Sequence, residues 1–318
     1  MRGQPDGQGT AATAAGGRVR TRRRPLLGNR AFWTLVATAA AVRAAIAVSS
    51  CCVVVLLAQR AAGHGAAALW SGTPSPLPAT AAVAVTAVGL LVGAVTAVRL
   101  ARASLAFRRH VSAMRTQGPA AARDASSRLR MAGRVTVVRD QRPFALTYGL
   151  IRPRVLISCG LLEILDPVEL DAVLAHEREH VRSRDPLKAA LVRVLVGRYF
   201  FLPLFRHLGE RYTDGRELAA DRRAVAAYGV PAVAGALLKV VETPRWASAT
   251  PAAAMGAAGL LDARIGQLET GDAAPVRSLG FFRLSASIAG AVVLTWALAG
   301  TAVLMASSSP VGCVLMAG

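Results

Sequence analysis

Two histidines four residues apart, with a glutamate beside the first, are the residues of this chain best suited to chemistry. They stand in His176-Glu177-Arg178-Glu179-His180. On a helix, positions four apart share a face, so the two imidazoles can grip one metal ion. Glu177 is rotated about 100° from His176 at roughly 3.6 residues per turn. From there it can reach a water on that ion without binding the ion itself. This H-E-x-x-H spacing is suited to hydrolysis by a metal-activated water. The helix is itself predicted from the residues: Asp166 as N-cap, Pro167 at the first helical position, and Glu169 closing a capping box.

Two histidines do not complete such a site, because a catalytic zinc ion usually takes three protein ligands and leaves a place for water. Of the other histidines, His64 falls on the far side of the expected membrane and His110 lies in a basic flank. His207 has no partner at a suitable spacing. Glu217 and Asp221 share a face of a later helix, expected to be capped by Asp214 and to stop near Tyr228-Gly229-Val230-Pro231. Two readings stand. The pair can line a solvated face with Arg216, Arg222 and Arg223, or Glu217 can be the third ligand while Asp221 accepts a histidine N–H. The upstream histidines favour the second. Asp185, five residues after His180, is expected to organise the helix end or to lie behind the metal ligands. An acid near a helix C-terminus is unfavourable by dipole, so it should have a specific partner. Tyr212, Arg216 and Arg222 are candidate donors to an oxyanion.

The elements that must position these residues lie in an unusual chain. Its 318 residues are 53% hydrophobic with a net charge of +20 and a mean hydropathy of +0.42. Aromatics are only 5% and no nucleic-acid recognition module is visible, which argues against direct nucleic-acid binding. The better fit is a membrane protein with its positive charge on one side. Residues 1–31 are expected to form a disordered basic tail. Residues 32–98 hold two membrane helices joined by a short external loop. Residues 99–283 form the domain that carries the histidines, 284–306 a third membrane helix, and 307–318 an external tail. Basic residues cluster before the first span, after the second and before the third. The N-terminus and the large domain are therefore expected in the cytoplasm and the C-terminus outside. Four cysteines without metal-type spacing read as buried or lipid-facing thiols.

A fourth apolar stretch, Leu187 to Phe205, lies between His180 and Glu217. One crossing there would part the ligands by about 30 Å of hydrocarbon, so it is expected to be buried in the domain or to lie at the interface. Arg134 to Val138 reads as a strand. Phe144 to Tyr148 and Arg154 to Ser158 read as a hairpin about Gly149-Leu150-Ile151-Arg152-Pro153. Such a pair is either a plain core sheet or an edge that holds an extended peptide.

The order of Pro143-Phe144-Ala145, Gly149-Leu150-Ile151-Arg152-Pro153-Arg154-Val155-Leu156-Ile157, Glu169-Leu170, His176-Glu177-Arg178-Glu179-His180, Arg184-Asp185 and Glu217-x-x-x-Asp221 resembles the BlaR/MecR-type membrane zinc peptidases. HtpX/CAAX-prenyl-type membrane peptidases resemble it more distantly. The resemblance implies an α+β zincin-like metallopeptidase domain inserted among α-helical transmembrane spans. It implies Zn2+ on His176, His180 and Glu217, with Glu177 as general base. It also implies regulatory cleavage of the chain itself or of a protein substrate such as a winged-helix repressor. No penicillin-binding sensor domain is expected, and the sequence shows three spans where those sensors have four. The rival expectations are an HtpX-like quality-control protease and a non-catalytic membrane signalling scaffold.

Overall fold

In chain order, a computed structural model shows α1 (Leu27–His64), α2 (Leu77–Met114), β1 (Arg115–Thr116), α3 (Ala120–Arg128), β2 (Val135–Val138), β3 (Ala145–Tyr148) and β4 (Arg154–Ser158). After the sheet come α4 (Cys159–Ile164), α5 (Pro167–Ser183), α6 (Asp185–Arg198), α7 (Pro203–Val241), α8 (Pro251–Thr270) and α9 (Phe281–Ser308). The structure describes residues 27–64, 77–242, 251–271 and 280–308. Most of the expected N-terminal tail, the external loop and the end of the C-terminal tail lie outside the described residues.

The four strands form one sheet in the order β1-β2-β4-β3. β3 and β4 pair antiparallel, with Leu146 opposite Leu156, as the hairpin reading expects. β2 instead pairs parallel with β4, with Val137 opposite Ile157. β3 is therefore an edge strand. α5 packs over this sheet. Leu170, Leu174 and Val181 lie on one stripe of it, buried with Val155, Ile157 and Leu161. α5 is anchored at its start by Asp166, which accepts from the backbone N–H of Val168 and Glu169, while Glu169 reaches back to the Asp166 N–H. A second, narrower stripe of α5, at Ala172, meets Ala224 and Val233 of α7. One helix thus joins the sheet to the helix that bears Glu217.

α1, α2 and α7 are each long and apolar enough to cross a membrane by length and composition. α7 does not cross. Gly229, at φ 82° and ψ 165°, breaks it two residues before Pro231. Beyond the break Ala232, Val233 and Ala236 are buried, and Lys239 pairs with Glu169 of α5 at 2.6 Å. That segment is spoken for by the domain. α9 is 28 residues long, with an apolar stretch at Phe281–Ala297 and Ile288, Val292, Val293 and Trp296 exposed along it. At about 1.5 Å per residue, α1, α2 and α9 all exceed the roughly 30 Å hydrocarbon core. The protein is a multi-pass membrane protein with three spanning helices.

Two local expectations need correction. Asp214 does not start a helix: α7 begins at Pro203 and runs straight through it. Asp185 does not sit unfavourably at the end of α5. Arg184, at φ 52° and ψ 41°, ends α5 and starts α6 within one residue. Asp185 is then in the first turn of α6, where the dipole favours an acid.

Candidate active site

The metal-ligating side chains come from two packed helices. α5 projects His176 and His180 one turn apart, and α7 projects Glu217 against them. Nε2 of His176 and Nε2 of His180 are 3.1 Å apart. Oε2 of Glu217 lies 3.4 Å from the first and 3.7 Å from the second. Among the described residues this is the group of three His, Cys, Asp or Glu side chains fit to hold a metal ion. A tetrahedral ion with bonds of about 2.1 Å needs ligand atoms roughly 3.4 Å apart. The observed triangle matches that size.

The other ring nitrogens are held from behind. His176 Nδ1 lies 2.8 Å from Asp221 Oδ1, and His180 Nδ1 lies 2.7 Å from Asp185 Oδ2. A carboxylate can only accept, so each Nδ1 carries the proton and donates it. Each neutral imidazole is thereby left with a bare Nε2 aimed into the triangle. Three acceptors so close require either a metal ion or extra protons among them. In the ion-free protein protons take that part. Burial pulls the His180 pKa down, but the hydrogen bonds to Asp185 and Glu217 outweigh it and raise it from 6.5 to about 10. His176 is raised too: burial again opposes, and Asp221 and Glu217 prevail. The chemistry of the donor set fits zinc, whose sites are built from imidazole and carboxylate.

Both supporting carboxylates are themselves tied down. Asp221 is fully buried and also takes a forked pair of hydrogen bonds from Arg264 of α8, at 2.6 and 2.8 Å. Asp185 accepts from the Tyr212 hydroxyl at 3.2 Å. Glu177 is buried beside the triangle, and its Oε2 accepts from the Thr147 hydroxyl of β3 at 2.7 Å. The same hydroxyl lies 3.2 Å from the Glu177 carbonyl oxygen.

The structure thus gathers His176, Glu177, His180, Glu217, Asp221 and Asp185 around one point. Of the three candidate oxyanion donors, Tyr212 is committed to Asp185. Arg222 turns to Gln267 at 2.8 Å. Arg216 lies 3.2 Å from Glu217 Oε1. His207 is buried in α7 and forms no part of the triangle. Three residues that the sequence reading passes over are Thr147, Arg264 and Gln267. A threonine in a strand carries no signal of its own. Arg264 and Gln267 did leave one: they are polar residues three apart at the end of the apolar run in α8. Gln267 is buried and its amide also donates to the Leu218 carbonyl at 3.0 Å.

The family model described as BlaR1 peptidase M56 matches residues 57–268. The HtpX homolog 2 protease of Methanosarcina mazei is 30% identical over 141 residues, covering 33% of this chain and 48% of that protein. An HtpX homolog of Acidiphilium cryptum is 30% identical over 148 residues, covering 36% and 51%. One from Aquifex aeolicus is 42% identical over 59 residues, covering 19% and 20%. The chain spans about half the length, or less, of these curated relatives. No solved structure matches. The family match covers more than half of the chain and includes both helices that meet at the metal triangle. The chain therefore belongs to the BlaR1 peptidase M56 family of membrane metallopeptidases, with the HtpX proteases as distant relatives.

Proposed function

We propose that the protein is a zinc-dependent endopeptidase that cuts peptide bonds on the cytoplasmic side of the membrane, as regulatory proteolysis of a repressor or of itself. The observation that supports this most is the triangle of bare acceptors, with a carboxylate behind each imidazole and a separate buried glutamate beside it. A purely structural metal site has no need of Glu177. In this reading residues 99–283 are the cytoplasmic peptidase and the C-terminus is external. The support for that orientation is the basic residues flanking the spans.

Zinc held by His176, His180 and Glu217 would polarise the scissile carbonyl and acidify a water towards a pKa of about 7. Glu177 takes the proton of the attacking water on its carboxylate and returns it to the leaving amine. Thr147 donates to that carboxylate and fixes its direction before substrate arrives. Asp221 and Asp185 keep both Nδ1 atoms protonated, so that both Nε2 lone pairs stay aimed at the ion. β3 lies at the sheet edge next to Glu177, so an extended substrate can add to it as a further strand. Arg216, already against Glu217, is the remaining candidate to meet the oxyanion.

The test is zinc content and cleavage of casein, of the chain itself and of candidate repressors, with Glu177→Ala beside the wild type. The variant should keep its zinc and lose cleavage, by about 10²-fold or more. If it loses zinc instead, the base assignment is wrong. Wild type that holds zinc and cleaves nothing would favour a signalling scaffold. The likeness to HtpX proteases supports a second reading, a general quality-control protease. Cleavage of many unrelated unfolded chains, and not of one repressor, would select it. A reporter fused at Gly318 checks the topology, since a cytoplasmic signal contradicts it.

A further inference from the structure

Between His180 and Glu217 the chain leaves the metal site and comes back. α6 runs away from Asp185 for 14 residues, or about 21 Å. It turns at residues 199–202, and α7 returns. We propose that this helical hairpin docks into the acyl chains of one leaflet, the one on the peptidase side, and turns back before the bilayer mid-plane.

With α9 read as the third span, α2 and α9 measure the depth of the turn and α1 adds a contact to it. On α2, a Cβ added to Gly89 would stand 2.4 Å from the Arg198 carbonyl oxygen, and one on Gly93 would stand 3.3 Å from the Arg198 Cβ. Only glycines allow that approach, the small-residue packing typical of membrane helices. Gly89 and Gly93 lie ten and six residues before Arg99, where the charge of α2 begins, about 15 and 9 Å inside, so the Arg198 backbone that they bracket sits about 12 Å deep. On α9, a Cβ on Gly290 would meet the Phe201 carbonyl oxygen at 3.0 Å. Gly290 is seven residues beyond Arg283, again about 10 Å. On α1, the Tyr199 hydroxyl donates to the Ala39 carbonyl at 3.1 Å. Ala39 falls between Arg30 and Arg43.

The hairpin's own residues agree. Lys188 donates to Asn29 at the start of α1, at 3.1 Å, and Glu210 pairs with Arg283 at the foot of α9. Each lies about 12–15 Å along its helix from the turn, so they mark a polar level at the headgroups. Val192, Tyr199, Leu202 and Phe205 are buried against α1. Leu187 and Leu191, one turn apart, and Phe200 at the turn remain exposed. This apolar face continues the lipid-facing surface of the spans, which makes acyl chains its occupant. On the hairpin itself, Arg193 and Arg198 limit the depth. Their long side chains reach headgroups over several ångströms but not from the mid-plane.

The test places a fluorescent thiol probe at Phe200→Cys, and separately at Leu191→Cys, in the full chain with its four native cysteines replaced by alanine. Controls at Ile288→Cys and Val168→Cys report lipid and water. The proteins are reconstituted in phosphatidylcholine vesicles with quenchers near the headgroup, near the chain end, or as iodide in water. At Phe200 both lipid quenchers should act several-fold more strongly than iodide, and at Leu191 the shallow one should exceed the deep one. Val168 should show the reverse preference for iodide. Iodide quenching at Phe200 and Leu191 equal to that at Val168 would overturn the proposal. So would stronger quenching at Leu191 by the deep lipid label than by the shallow one. Gel filtration and melting curves exclude misfolded variants, and two probe positions keep one such loss from deciding the matter. None of these readings requires proteolysis.

Discussion

Asp185→Asn separates the charge behind His180 from the hydrogen bond it makes. In the native chain Asp185 accepts from His180 Nδ1 at 2.7 Å and from the Tyr212 hydroxyl at 3.2 Å. An asparagine can keep both contacts: its carbonyl accepts from Nδ1, and its amide donates to the Tyr212 oxygen. Only the negative charge is lost. A hydrogen bond to a charged group contributes about 1.5–3 kcal/mol and a neutral one about 0.5–1.5. The difference of roughly 1–1.5 kcal/mol corresponds to a zinc dissociation constant about 5–15-fold weaker. Asp185→Ala removes both contacts and frees the imidazole tautomer. It should weaken zinc by about 10–100-fold and lower the melting temperature, since the buried Tyr212 hydroxyl loses its acceptor. Competition against a chelator of known affinity, at fixed pH, measures both. Asparagine binding zinc as tightly as wild type would show that Asp185 does not act on the ligand, whatever its place in the fold. A loss as large in Tyr212→Phe would point to packing instead.

Other outcomes follow from the same contacts. Thr147→Val should keep zinc and KM while lowering kcat about tenfold or more, as one charge-assisted hydrogen bond to Glu177 is lost. Thr147→Ser should restore the rate, and equal kcat in valine and wild type refutes the role. In the ion-free protein the His180 pKa rises from 6.5 to about 10, so folding draws stability from its proton. That stability is complete below pH 6.5 and fades as pH rises through about 10. Zinc must displace the proton, so its apparent affinity should climb by about tenfold or more per pH unit up to about pH 10 and level off above it; a flat chelator titration below that pH contradicts this. Leu174→Ala empties a fully buried site between α5 and the sheet. It should cost about 2–5 kcal/mol, read as a fall in melting temperature with zinc stoichiometry unchanged.

Features that depend on neighbouring residues were legible in the chain. The capping of α5 by Asp166 and Glu169, the four-residue spacing of His176 and His180 and of Glu217 and Asp221, and the β3–β4 hairpin are all local. Each is recovered with nearly the expected bounds. Asp185 was rightly expected to need a partner, although the dipole argument failed because a single residue, Arg184, turns one helix into the next. What escaped notice depends on distance. Thr147 reaches Glu177 across 30 positions, and Arg264 reaches Asp221 across 43. Neither residue type is unusual where it stands. Asp214 misled because a good capping residue in mid-helix looks the same as one at a start. The parallel partnership of β2 with β4 is a matter of topology, to which strand patterns are blind.

Asp221 is shared by the ligand His176 and by Arg264 of α8, a helix that precedes α9. Sharing one carboxylate between two guests makes their free energies interdependent. If the ion steadies Asp221 for Arg264, then the seating of α8 must favour the ion by the same factor. Anything that draws α8 away, from whichever side of the membrane it acts, would therefore be felt as a weaker hold on metal, with no change in any of the three ligands.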